Sequence, residues 1–174
     1  MAAASTDDEW FDVVDAADRV IGRERRRIVH RDGLRHRAIH ILLERPDGAV
    51  LLQRRSGTKD TFPHCWDSSC SGHLDSGEDY RTAAARELAE ELGIVDCPSL
   101  KEILRVDACP ESGMEFVRVY HARWDGPVDP DPEEISEIRW LERPAIDRLL
   151  MNHPETCARS FVYLWNRLNP FPHP

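Results

Sequence analysis

Apolar and polar positions alternate in short stretches along most of the chain, and helical periodicity shows in three places. Residues 10–14 and 19–22 flank a D-A-A-D turn and predict a short hairpin. Residues 36–44 (HRAIHILLE) and 49–54 (AVLLQR) read as strands, and Pro46-Asp47-Gly48 between them favours a tight reversal. Further strands are predicted over 66–71, 100–108 and 115–124, the last two separated by the turn at 110–113. Proline and aspartate mark 127–132 as a loop, followed by a strand ending at Trp140. Helices are predicted over 79–92, 144–151 and 154–168; the last two open on proline, whose missing N–H costs least there. Residues 1–9 predict a disordered tail, and nothing in 10–174 reads as a linker or repeat, so one domain is expected. This order of elements predicts an α+β fold with helices packed on a mixed sheet.

Composition narrows the partners. Among 174 residues, 32 acidic and 23 basic side chains leave a net charge of −9 with histidine neutral, a field that repels duplex nucleic acid and anionic membranes. A phosphate ligand therefore needs local cations. The longest unbroken apolar run, 161–165, is far short of the roughly 18 residues of a membrane span. It reads equally as core or as the contact of a homodimer. The leading MAAASTDDEW lacks the features of a secretory signal, and the five cysteines show no C-x-x-C spacing, so a reduced, cytoplasmic protein is expected. The five charged residues 23–27 read as a solvated edge.

The segment 72–94, GHLDSGEDYRTAAARELAEELGI, carries the chemistry. Ser76 and Asp79 have the spacing of a capping box, and Gly93 suits the left-handed position past a helix end. At about 100° per residue, Glu87, Glu90 and Glu91 fall on one face, and Ala84, Leu88 and Leu92 on the other. The acidic face is thus expected to look away from the core. Three like charges at this spacing, two in the last turn, disfavour a helix, and a bound cation reverses that penalty. Hard oxygen donors suit Mg²⁺ or Mn²⁺. Arg86 can pair with Glu90 across one turn.

Through Gly72, Glu78, Arg86, Glu87, Leu88, Glu90, Glu91, Gly93 and Ile94 the segment fits G-x(5)-E-x(7)-R-E-U-x-E-E-x-G-U, with U apolar. It resembles the Nudix box without a mismatch, and a chance match is on the order of one in 10⁹ per start position. The resemblance implies an α/β/α sandwich and a hydrolase that cleaves a diphosphate linkage in a small molecule, such as a nucleoside diphosphate linked to a group X, by metal-activated water. It implies Glu87 and Glu91 as the main Mg²⁺ ligands, with Glu90 a further ligand or the base. The resemblance further implies that the carbonyl of Gly72 faces the metal, that Glu78 braces the loop and that Arg86 belongs to the catalytic set. A distal base is expected from Glu137 or Glu134. Arg54, Arg55 and Lys59, just before the box, are candidate substrate-binding cations, with Arg37 a weaker one. Strand alternation allows only one of Arg54 and Arg55 to point inward.

HRAIHILL, LLQRR-(3)-K, WDSSCSGH and EEISEIRWL are also similar to the superfamily branch that includes isopentenyl-diphosphate isomerase. That alternative implies a cysteine immediately before the Gly-His pair, a distal acid and a histidine-rich metal site. His30, His36 and His73 stand in suitable places and Glu115 supplies one of two expected strand acids, but Ser71 occupies the cysteine position and Cys70 sits one residue earlier, on the opposite face of a strand. With no helical ligand spacing, His36 and His73 read as hydrogen-bonded structural histidines. The intact acidic cluster favours hydrolysis over isomerisation, and also over a non-catalytic nucleotide-binding Nudix domain.

Overall fold

The computed structural model describes residues 9–97 and 100–168. The tail expected over 1–9 lies outside the described residues except for Glu9, whose backbone and carboxylate are both bound by Arg26. The order is β1 (Trp10–Val14), β2 (Val20–Arg25), α1 (Arg26–Asp32), β3 (His36–Glu44), β4 (Val50–Arg55), β5 (Trp66–Asp67), β6 (Cys70–His73), α2 (Tyr80–Leu92), β7 (Lys101–Val106), β8 (Glu115–Arg123), β9 (Ile135–Leu141), α3 (Arg143–Asn152) and α4 (Arg159–Leu168). Strands β1 and β2 form a separate ribbon.

Strand β3 is the centre of the mixed sheet. It runs parallel to β8 from His36↔Glu115 to Glu44↔Arg123, and antiparallel to β6 from Ala38↔His73 to Ile41↔Cys70. Strand β4 continues from the hairpin end and carries β9 and β5, while β7 flanks β8. Period-two burial then sorts the core into two layers. Ala38 and Leu42 face Ile146 and Leu150 of α3 and Phe161, Leu164 and Trp165 of α4. Ile39, Ile41 and Leu43 face Ala83, Ala84, Leu88 and Leu92 of α2. This is the expected α/β/α sandwich, and Phe161 and Trp165, at 1% exposure each, are core.

Several expectations need correction. The charged run 23–27 is no solvated edge throughout: it ends β2 and starts α1, and the Arg26 side chain is largely buried. The predicted strand over 66–71 is two short strands, because Ser68 and Ser69 turn their hydroxyls inward onto backbone carbonyls. The helix predicted over 154–168 is broken at Cys157, which bridges to Trp66, so only a 3-10 turn precedes α4. Ser76 donates to Asp12 instead of capping α2, and Asp79 alone caps it through the N–H groups of Arg81 and Thr82. No helix among the described residues is long and apolar enough to cross a membrane.

Candidate active site

Helix α2 is fixed at both ends, by Asp79 and by Gly93 at φ +65°, whose N–H reaches the Ala89 carbonyl. Its acidic face turns away from the core only in part: Glu90 is exposed as expected, Glu87 is half-buried and Glu91 is buried. Glu91 is 3% exposed and accepts from Gln53 Nε2 at 3.1 Å and the Ser71 N–H at 3.3 Å. Glu87 lies over Gly72 so closely that a Cβ there would fall 2.2 Å from its carboxyl group. Only glycine lets this loop approach the helix. Arg86 holds the group together: it donates to Glu78 at 2.9 Å, to Glu87 at 2.8 Å, to Glu90 at 3.0 Å and to the His73 carbonyl at 3.0 Å.

Burial, and then the neighbouring charge of Glu91, push Glu87 up to about 8. Burial raises Glu91 as well. A pair of carboxyl groups whose ionisation is opposed by burial forms a site that a divalent cation stabilises by taking the place of their protons. The sequence-predicted donors Gly72, Glu87, Glu90 and Glu91 all line one cavity of about 780 Å³. Arginine neutralises only part of this charge, since Glu91 has no arginine partner among its hydrogen bonds.

The same cavity receives Arg55 and Lys59. Arg55 is held by Asp67 at 3.5 Å and the Thr61 carbonyl at 3.1 Å. The Lys59 ammonium is ion-paired with Glu134, and burial lowers its pKa. Arg54 points the other way, as alternation requires, and faces Glu137 at 3.7 Å. Neither Arg54 nor Glu137 borders the cavity, so the structure does not bring these two expected site residues to the acids. Arg37 is spent on Asp18. Arg26, overlooked in the charged run, does line the cavity, and its buried Nε has no hydrogen-bond partner.

The histidines also depart from expectation. One donor atom each from His30, His36, His73 and Glu115 lie within 4.8 Å of one another. His36 gives Nδ1 to the Leu34 carbonyl at 2.8 Å, which leaves a buried Nε2 without a hydrogen-bond partner, 3.5 Å from Glu115. His73 Nε2 is 3.0 Å from the same carboxylate. Burial lowers His73 to about 3, so the ring is neutral and ready to ligate. Burial opposes ionisation of Glu115, yet the neighbouring His36 and His73 rings hold it well below the usual carboxylate range. Phe11 covers the group, 4.7 Å from the His73 ring. Asp60, a residue with no sequence signal, sits 3.9 Å from His30 Nδ1 and accepts from Arg26 at 3.1 Å. Three imidazoles and a carboxylate suit a transition metal or zinc. The ligands come from α1, β3, β6 and β8, so no local spacing reveals them.

At the start of β6, Cys70 is fully buried among α2 contacts, and Ser71 is the residue that borders the cavity. Residues 34–160 match the NUDIX domain. An uncharacterized Nudix hydrolase of Yersinia pestis is 37% identical over 136 residues, 76% of this chain and 72% of its own length. An isopentenyl-diphosphate Delta-isomerase of Nocardia farcinica is 39% identical over 143 residues, 77% of this chain and 79% of its own. The crystal structure of DR0079 from Deinococcus radiodurans superposes with a TM-score of 0.80 at 27% identity, covering 92% of this chain and 99% of that one. With an intact box on α2 and a match that spans most of its length, the chain belongs to the Nudix family.

Proposed function

We propose that the protein hydrolyses a diphosphate linkage in a small molecule with the help of Mg²⁺ or Mn²⁺. The observation that carries this is a single cavity in which the Glu87 and Glu91 carboxylates oppose Arg26, Arg55 and Lys59. Glu87, Glu91, Glu90 and the Gly72 carbonyl would hold the cation; when bound, it supplies charge neutralisation on the phosphate oxygens and a more acidic water. Arg26, Arg55 and Lys59 bind and orient the diphosphate against the long-range repulsion of the net charge. Arg86 keeps Glu87 and Glu90 aimed.

The His30, His36, His73 and Glu115 group favours a second reading, isopentenyl-diphosphate isomerisation, as does the Nocardia farcinica relative. Three features weigh against it. Ser71 replaces the thiol, Gly113 and Met114 leave Glu115 as a lone acid at the start of its strand, and the cavity has few apolar side chains to receive a prenyl chain. The test incubates purified protein with Mg²⁺ or Mn²⁺ and a panel of nucleoside and isoprenoid diphosphates, following phosphate-containing products and double-bond position separately. Phosphate release supports the hydrolase. A double-bond shift without release would replace it with the isomerase.

A further inference from the structure

A hydrolase of this kind needs a base for the attacking water, and the glutamates of the box and Glu134 are engaged. Glu87 and Glu91 are suited to the cation, Glu90 is held by Arg86, and Glu134 by Lys59. His40 is not. It projects from β3 between Ala38 and Leu42, which pack into the apolar layer under α3 and α4, yet it borders the cavity beside its cross-strand partner Ser71. Its Nδ1 is 2.8 Å from Ser68 Oγ and 3.6 Å from Asp67 Oδ1. The Ser68 hydroxyl in turn donates to the Cys70 carbonyl or to Asp67. Asp67 is 2% exposed and is fixed by the Ser68 N–H at 2.7 Å and by Arg55.

We infer that His40 is the general base of the hydrolysis proposed above, on which this inference rests, and that Asp67 with Ser68 orients it. Hydrogen bonding at Nδ1 places the proton there and leaves the Nε2 lone pair for the substrate side, where no described residue partners it. As water oxygen bonds to phosphorus, its proton passes to Nε2. The bridging P–O bond breaks with its electron pair going to the departing phosphate, and the imidazolium returns its proton to that group or to solvent. Asp67 stabilises the imidazolium without taking the proton, as an orienting carboxylate does elsewhere. A leucine at position 40 would pack better against its neighbours; a buried imidazole–carboxylate pair is costly there and is accounted for by a chemical task.

The experiment compares wild type, His40→Ala, His40→Gln and Asp67→Asn on the diphosphate that wild type turns over best, with Mn²⁺ affinity measured by electron paramagnetic resonance. The expected result is a kcat lowered by about 10²–10⁴ in both His40 variants, with KM and Mn²⁺ affinity nearly unchanged. Exogenous imidazoles should restore His40→Ala in proportion to their basicity, and should not restore Asp67→Asn, whose kcat falls and whose KM rises as Arg55 loses its anchor. A His40 variant that keeps kcat within about threefold of wild type overturns the inference, as does an alanine variant that folds, binds Mn²⁺ and is not rescued. If neither His40 variant folds, Asp67→Asn decides: a kcat within about threefold of wild type overturns it. Turnover absent even in wild type removes the hydrolase proposal as well, whereas turnover surviving in the variants removes His40 alone.

Discussion

Glu91 combines the deepest burial of the acidic residues on α2 with the hydrogen bonds that aim it, from Gln53 and the Ser71 N–H. Glu91→Gln keeps the shape and removes the charge, so Mn²⁺ titration should show affinity weakened by at least about tenfold. The metal-free variant should melt no lower than wild type at neutral pH, since the amide accepts the same hydrogen bonds and burial opposes the ionisation that it removes. Asp60 acts one step further out. By orienting His30, Asp60→Asn should weaken Co²⁺ binding at the histidine cluster by about 10–100-fold, read from the visible spectrum, and leave Mg²⁺ binding at the glutamates unchanged. Equal loss at both sites would show that Asp60 has no special relation to His30.

At the level of elements, what the sequence discloses is what is local. The α2 helix, its Gly93 terminus and its acidic face lie within one continuous segment, so periodicity and cap chemistry locate them. The central β3–β4 hairpin is equally plain, because Pro46-Asp47-Gly48 sits between two apolar runs. The misread parts depend on partners distant in the chain. Helix α1 carries few helix signals and forms because Arg26 is held by Glu9 and Asp60. The break at Cys157 comes from its bridge to Trp66. Glu91 looked solvent-facing because a helical wheel cannot register the β6 edge that covers it. Gly93 offers a direct check. At φ +65°, with Asp129 Cβ 3.1 Å from where a methyl would lie, Gly93→Ala should cost about 1 kcal/mol or more in chemical denaturation. No change would mean that this helix end is free to readjust.

Across the molecule, the buried acids tie stability to pH. The unfolded chain loses the Glu87 proton near 4.5, while the fold keeps it to about 8. The stability that the retained proton represents is therefore complete below 4.5 and lost as pH rises through 8. His73 acts oppositely, from 6.5 ordinarily to about 3 in the fold, but only below 6.5. Between pH 6.5 and 8 the metal-free protein should thus melt at progressively lower temperature, and saturating Mg²⁺ should flatten the trend. A melting temperature that climbs over this interval without metal would contradict the burial of these carboxylates.

The first rung of the β3–β8 ladder pairs His36 with Glu115, so a contact between segments remote in the chain is also a pair of donors in the histidine cluster. Parallel pairing between such remote segments closes a long loop and is expected late in folding, and a slip of one residue would turn Glu115 to the other side of the sheet. The cluster should therefore be absent from a partly assembled chain. Cobalt colour developing during refolding would time the arrival of the correct register, and colour that precedes it would place the ligands together by some other route.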